Sequence, residues 1–580
     1  MSKKLLKWIG TGIGIPLMFI LTGSLALAAE KEMNLYEYTH LPREQRLKYK
    51  TIVVEPYEKG TTPSEIELKK AEEMILSGET ETVWKYYQLA LFEATHPKVK
   101  VKLSTYSGWK AEELLTGLAG GTAPSYYDIT QEAGPAGYIK QGLVADITDL
   151  VKNWDQTPYI QSHYGALWEC CWDKGRCYGI PTVDPMIPCI YGFLYRKDWC
   201  KEAGIFNGKG EGGPPLNWTI KEFREIFMKL TDPKKNRWGL TVGPVQWHWG
   251  LKNPAFQCMR APFGTQPWFW TVPDKSGKYT WRFDTSPQVV ESLEFLRDMI
   301  WKDKSIITGA EYSGGEVNRE FWGNRAGAYY FRNMDGIGKV FGAPHVFSPT
   351  IPTEEILGFA PVPAGKYGLR LNTRRVSFNG FNPTLSKEEL KAAFEYADWI
   401  RVGEGATISL EYSLHNWRTI GKTLPLELAR TTLPWQTLVS QTKEFPGSLR
   451  IRKVPEGFPD ILKMIPEGML DATRVSLKIP AYTNFFRATD LTVPGLGKEL
   501  AGLMSLYQAI ASNPNVDIEK ELKKTADMLN ATVFNVKLEN DREALKEYFQ
   551  GLDNFYKEYY PDWWKSKEYK DLFENYYKCW

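Results

Sequence analysis

Apolar and polar positions alternate in the first strand-like stretches. Thr51-Ile52-Val53-Val54 is a β-branched run, and Val99-Lys100-Val101-Lys102-Leu103 carries an apolar side chain at every second residue. Between them the apolar positions recur at helical spacing over residues 65–76 and 82–95, which predicts two amphipathic helices. A helix over 110–119, the turn Gly120-Gly121-Thr122-Ala123-Pro124 and a strand over 126–130 follow. This order predicts an α/β fold with a parallel sheet covered by helices, in which ligands meet the loops at the carboxyl ends of the strands. Helical spacing returns at 220–230, Pro287–Trp301, Lys387–Arg401, 496–511 and 517–529. Ser386 before Lys387-Glu388-Glu389 has the form of an N-cap followed by acidic residues in the first turn.

The chain has 580 residues, enough for two to four domains or large lobes at roughly 100 to 200 residues each. With 43% apolar and 24% charged residues it is neither a long disordered chain nor a polytopic membrane protein. A net charge of +3 without a long basic block leaves no electrostatic footprint for nucleic acid. Lys3, Lys4 and Lys7 precede an apolar run at 13–27 that ends in Ala26-Leu27-Ala28. That is the pattern of a secretory signal, with cleavage expected near Ala28. No cysteine accompanies it to carry a lipid anchor, so the mature protein is expected free in an exported, periplasmic compartment. No later apolar run reaches spanning length, which argues against channels and permeases.

Five of the seven cysteines cluster, at Cys170, Cys171, Cys177, Cys189 and Cys200. Asp173-Lys174-Gly175-Arg176 reads as a hairpin turn, so a local disulfide between the flanking Cys171 and Cys177 is geometrically reasonable, the pairing among the five being left open. Neither a C-x-x-C nor a His pair stands at ligand spacing, and neither a metal nor a cofactor is predicted. The chain has no H-E-x-x-H, G-x-x-x-x-G-K-[ST] or G-x-S-x-G. The G-x-G-x-x-G at Gly208, Gly210 and Gly213 runs into Pro214-Pro215 and reads as a loop.

Aromatic residues make up 14% of the chain, and Gln246-Trp247-His248-Trp249 and Trp268-Phe269-Trp270 fall in Pro/Gly-rich loops. Sugars present apolar faces and a rim of hydroxyls, so a site for them combines flat rings with amides, carboxylates and guanidinium groups. Loop packing is the other use of such rings. Trp109, in Tyr106-Ser107-Gly108-Trp109, is a stacking platform or a helix-capping core residue on the same grounds.

Several blocks in order resemble the extracellular solute-binding proteins of ATP-driven (ABC) importers, in the maltose-binding-protein-like sugar-binding group. They are Phe92-Glu93-Ala94-Thr95-His96-Pro97, Leu118-Ala119-Gly120-Gly121-Thr122-Ala123-Pro124, Gly142-Leu143-Val144-Ala145-Asp146-Ile147-Thr148, Cys177-Tyr178-Gly179-Ile180-Pro181, Leu194-Tyr195-Arg196-Lys197-Asp198, Phe321-Trp322-Gly323-Asn324-Arg325-Ala326-Gly327-Ala328 and Gly358-Phe359-Ala360-Pro361-Val362-Pro363. The resemblance covers roughly residues 50–535. The chain departs from the pattern at Pro124-Ser125-Tyr126-Tyr127, which stands before Asp128 and implies a longer loop there.

The resemblance implies a type II periplasmic-binding-protein-like fold of two lobes, each a mostly parallel sheet flanked by helices, with the ligand between them. The expected organisation is a signal at 1–28, a first lobe at 45–182 and 375–412, a second lobe at 185–365 and 425–540, and an amphipathic extension at 541–580. It places ligand contacts at Gln131 and Glu132, Asp184, Trp247 and Trp249, Arg332 and Asn333, Asn379, and Phe485 and Phe486, to which the aromatic loops add Trp109, Trp268 and Trp270. For Glu132, Asp184 and Arg332 the other reading is loop-locking ion pairs. The implied function is capture of a carbohydrate, an oligosaccharide, for delivery to the membrane permease of an ABC importer, by a monomer and without catalysis. A secreted carbohydrate-active enzyme is the alternative, and a surface-binding role for the aromatic tail is a third.

Overall fold

The computed structural model describes residues 51–56, 91–93, 95–96, 98–104, 111–129, 138–139, 141–181, 191–242, 260–265, 269–273, 279–309, 314–332, 346–371, 378–423, 435–480, 499–532, 537–538 and 542–578. The expected signal, the helix over 65–76 and most of that over 82–95 lie outside them. Strand β1 (Thr51–Pro56) pairs with β2 (Val99–Ser104) antiparallel, Thr51 opposite Ser104 and Pro56 opposite Val99. A parallel pair was expected there; side-chain alternation identifies strands but carries no information on their direction.

The first-lobe sheet has the order β3–β14–β6, from β3 (Tyr126–Ile129), β6 (Ile180–Pro181) and β14 (Phe378–Phe381). The longer loop expected before Asp128 is instead strand: Tyr126 and Tyr127 open β3, and the Tyr127 hydroxyl donates to the Phe381 carbonyl at 3.2 Å. The hairpin of β4 (Trp172–Asp173) and β5 (Arg176–Cys177) turns through Lys174 and Gly175, both at positive φ. The Cys171–Cys177 disulfide is not formed. Trp172 stands opposite Cys177, and the Cys171 carbonyl accepts from Tyr178, so the two cysteines are one step out of register. The Cys177 thiol donates to the Gly179 carbonyl at 3.4 Å.

The second-lobe sheet runs β11–β8–β12–β7–β13, from β7 (Tyr191–Arg196), β8 (Leu240–Thr241), β11 (Ile306–Ile307), β12 (Ala328–Arg332) and β13 (Leu357–Pro361). Strand β7 is antiparallel to both its neighbours, as β14 is in the first lobe, and the other strands of each sheet run in one common direction. The exceptions have one cause. Each is the strand by which the chain enters a sheet after leaving the other sheet, so it starts at the edge where its neighbours end.

Helices follow their local signals. α1 (Ala111–Ala119) precedes β3; α2 (Thr157–Trp168) packs in the first lobe. α3 (Ile220–Lys229) opens with a capping box between Thr219 and Glu222 and turns Phe223, Ile226 and Phe227 inward. Phe193 of β7 meets Phe223 and Trp218 edge-on, the geometry aromatic quadrupoles favour. α4 (Pro287–Trp301) and α5 (Lys387–Arg401) match their predicted spans, α5 with the Ser386–Glu389 capping box. α6 (Glu404–Thr423), α7 (Glu467–Lys478), α8 (Glu499–Ser512) and α9 (Ile518–Thr532) complete the two lobes.

Two sets of contacts bear on the organisation of the chain. Residues 441–452 contact elements of the first lobe. Arg452 pairs with Asp155 and Asp398, both at 2.7 Å, and the Tyr159 hydroxyl donates to the Gly447 carbonyl at 3.0 Å. The C-terminal stretch is an integral part of the second lobe. Its helices α10 (Arg542–Tyr559), α11 (Pro561–Lys565) and α12 (Lys567–Leu572) bury Phe549, Leu552, Tyr556, Trp563, Tyr569 and Tyr577. Tyr577 and Thr265 close over a fully buried ion pair of Arg260 and Asp284, 3.5 Å apart. Most of its aromatic residues are therefore occupied in packing, with Tyr559 left exposed, which counts against the third reading of a surface-binding tail.

Candidate ligand-binding cleft

The register of the two sheets defines two edges. In the first lobe β3 ends at Ile129 and β6 ends at Pro181, and β14 begins between them, with Phe378 opposite both residues. In the second lobe Tyr191 at the start of β7 stands opposite Arg332 at the end of β12, and Gly192 stands opposite Pro361 at the end of β13. The chain crosses between these edges twice, from Pro181 to Tyr191 and from Pro361 to Phe378. The carboxyl ends of the common-direction strands therefore open where the lobes are joined, the position at which α/β sheets hold ligands.

The sequence candidates fall into three groups. Gln131 and Glu132 follow β3, Asp184 follows β6, Trp247 and Trp249 follow β8, and Asn333 follows β12. These six, with Trp109, Trp268, Phe485 and Phe486, lie outside the described residues. Arg332 and Asn379 lie in the central sheets and Trp270 in a separate hairpin. Arg332 holds the last position of β12, at the second-lobe edge. Trp270 belongs to β9 (Phe269–Pro273), which pairs with β10 (Tyr279–Phe283) and through it with β15 (Lys537–Leu538), against α9 and the C-terminal Phe573–Tyr577 turn. The structure thus groups Arg332 with the cleft edge and sets Trp270 apart from it.

Asn379 is 1% exposed. Its side-chain oxygen accepts from the Tyr126 hydroxyl at 3.0 Å and from Arg401 Nη2 at 3.2 Å, and Arg401 Nε also donates to the Tyr126 oxygen at 2.9 Å. A buried amide must find partners of this kind. Asn379 thereby ties β14 to β3 and to the end of α5, and its contribution to the edge is to fix its position.

An aromatic pair that the sequence reading did not single out lines up at the second-lobe edge. The rings of Tyr191 and Tyr330 stack with centroids 5.3 Å apart and planes 19° from parallel. Phe193 lies farther in, its ring 5.4 Å from that of Tyr330 and tilted 58° to it, and all three rings are buried. Strand geometry produces this ladder: residues two apart share a face, and Phe193 stands opposite Tyr330. The close approach of β7 and β13 needs Gly192, where a Cβ would lie 2.2 Å from the Ala360 carbonyl oxygen. The signal available in the sequence was a tyrosine beside a crossing and another near a strand end, which is too common a pattern to select them.

Beside the ends of β8 and β11, the Tyr507 hydroxyl of α8 bonds to the Thr308 hydroxyl and donates to the Val242 carbonyl at 3.4 Å. Val242 is the last described residue before the stretch that contains Trp247 and Trp249, and α8 thus holds the end of β8. Among the described residues no group of His, Cys, Asp and Glu side chains is arranged to hold a metal ion, and no helix is long and apolar enough to cross a membrane.

No curated protein matches the chain in sequence. Among solved structures it is similar to the ABC substrate-binding protein of Listeria monocytogenes in complex with cycloalternan, at 19% identity over 77% of this chain and 94% of that one, TM-score 0.49. It is also similar to the GacH receptor of Streptomyces glaucescens, solved unliganded and with acarbose, at 16% identity over 81% and 96%, TM-score 0.48. Maltose-bound MalE3 of T. maritima matches at 19% identity over 78% and 96%, TM-score 0.46. The assignment rests on the family match, which spans residues 77–401 and so more than half of the chain. The chain belongs to the bacterial extracellular solute-binding protein family.

Proposed function

We propose that the protein is an exported receptor that captures a carbohydrate, an oligosaccharide, between its two lobes and delivers it to the permease of an ABC importer. The observation that carries this reading is the joining of the two sheet edges by two crossings, with Tyr191 and Arg332 opposite each other at strand ends on one of them. Gln131, Glu132, Asp184, Trp247, Trp249 and Asn333 follow strands that end at these edges and supply rings, amides and charges to a saccharide. Ligands that engage both lobes favour the closed arrangement by their differential affinity for it, and no chemical step is required. The mature chain, cut near Ala28, acts as a monomer in the periplasm, and the ATPase and permease act downstream of it.

A thermal-shift screen of residues 29–580 against mono- and oligosaccharides, polyols and short peptides, with product analysis on each hit, tests this. A ligand at a hundred times its dissociation constant adds about 2.7 kcal/mol to stability. The expected result is a saccharide that raises the melting temperature and is recovered intact. A cleaved hit, or hits confined to peptides, would overturn the reading.

A further inference from the structure

We infer that the C-terminal helices act as a clamp on the second crossing between the lobes, so that Tyr560, Trp563 and Glu568 set the angle at which the lobes meet. The inference rests on the reading that the lobes close on a ligand. The crossing leaves β13 at Pro361 and reaches β14 at Phe378. Its first part, residues 362–371, is fixed on one side to the second-lobe body: the Ala364 carbonyl accepts from Ile220 at 2.7 Å and the Ala364 amide donates to Trp218 at 2.9 Å. Gly365 is pressed so closely onto the 261–265 turn that a Cβ there would lie 1.7 Å from the Pro262 carbonyl oxygen.

The C-terminal helices hold the other side, beside Arg370, whose guanidinium also donates to the Leu216 carbonyl at 3.3 Å and to Asn217 at 3.2 Å. Trp563 is wedged between the turn and the crossing: a Cβ on Gly264 would fall 2.5 Å from its ring, and its ring centroid lies 5.7 Å from that of Tyr367. Lys366 pairs with Glu568 at 2.5 Å, and the Tyr367 hydroxyl donates to the same carboxylate at 3.3 Å. Tyr560 donates its hydroxyl to the Arg370 carbonyl, the contact nearest the first lobe. Tyr367 at φ 60° and Gly368 at φ 71° are consecutive left-handed positions of a tight turn, closed by the Leu369 amide donating to the Lys366 carbonyl at 3.2 Å. The C-terminal helices pack onto this turn through Trp563 and Glu568. Releasing the clamp frees the root of the crossing to rotate, and the lobes then sample a wider range of angles.

The test uses the full mature chain without ligand, so it stands whether or not a saccharide is found. Donor and acceptor dyes on non-canonical residues replacing exposed Lys152 and Lys302, one in each lobe, report the interlobe distance by single-molecule energy transfer. The expected result for Tyr560→Phe combined with Glu568→Gln is a distance distribution about 1.5-fold wider than wild type. Glu568→Lys alone should widen it as well, and adding Lys366→Glu, which restores the pair with reversed charges, should narrow it again. A distribution unchanged in both the double variant and Glu568→Lys, even with a lowered melting temperature, would reduce the C-terminal helices to packing alone and overturn the clamp.

Discussion

Two arginine–carboxylate ties hold the two lobes in opposite ways. In the first lobe Arg452 joins Asp155 and Asp398 at the surface, with 39% of its side chain open to solvent. In the second, Arg260 and Asp284 are sealed beneath the C-terminal helices at 1% and 0% exposure. The hydrogen bonds that Arg452 donates to Asp155 and Asp398 make it hold its proton more tightly than usual. For Arg260 the loss of water dominates, and burial pulls its guanidinium down to about 10 despite the neighbouring carboxylate. The same pair of groups is therefore a solvent-screened strap in one lobe and a desolvated bolt in the other, and the two should fail under different stresses.

Breaking the bolt should have the largest effect. Asp284→Ala removes the carboxylate beside the buried Arg260 and should destabilise the protein by about 3–5 kcal/mol, measured as a shifted urea midpoint; a loss under about 1 kcal/mol would show that water reaches the site. Arg452→Met should cost only about 1 kcal/mol after allowance for screening. That loss should shrink further in molar salt, whereas the Asp284→Ala deficit should not. If both variants respond to salt alike, the distinction between the two environments fails.

Acid should act on the strap as well. Hydrogen bonding from Arg452 holds the Asp155 carboxyl below its ordinary 3.8. Such a group binds protons less tightly folded than unfolded, so its contribution is present above that value and is lost as the pH falls below it. Urea midpoints taken down through this range should fall more steeply for wild type than for Arg452→Met. The smallest effect belongs to Glu93, whose carboxyl is pushed above its ordinary 4.5 by burial although it accepts from the Val101 amide at 2.8 Å. Here the sign is reversed: stability declines as the pH rises through the raised value. Glu93→Gln keeps the acceptor and removes that slope, with a gain of less than about 1 kcal/mol at neutral pH.

What the sequence revealed depended on how far apart the cooperating residues lie. The Ser386–Glu389 box and the Asp173-to-Arg176 hairpin are encoded within four residues, and both form where their signals stand. Part of strand β7 lies in the Leu194-to-Asp198 block that carries the family resemblance, but its antiparallel direction follows from the chain arriving from the other lobe. The Cys171–Cys177 disulfide failed by a single step of register, which spacing in sequence does not resolve. The burial of the C-terminal helices depends on Gly264, Asp284 and Arg370, some two to three hundred residues away, and periodicity has no access to such partners. At the cleft, family pattern placed Arg332 at a strand end on the edge, while Tyr191 and Tyr330 became visible only as a stacked pair across two strands.

Small-angle scattering of the mature chain with and without a saturating saccharide from the thermal screen, followed by recovery of the sugar, tests the receptor reading as a whole. Capture between two hinged lobes predicts a smaller radius of gyration with ligand, reversed on its removal, and a sugar recovered unaltered. A saccharide that binds without changing the scattering curve, or one returned as shorter fragments, would contradict it.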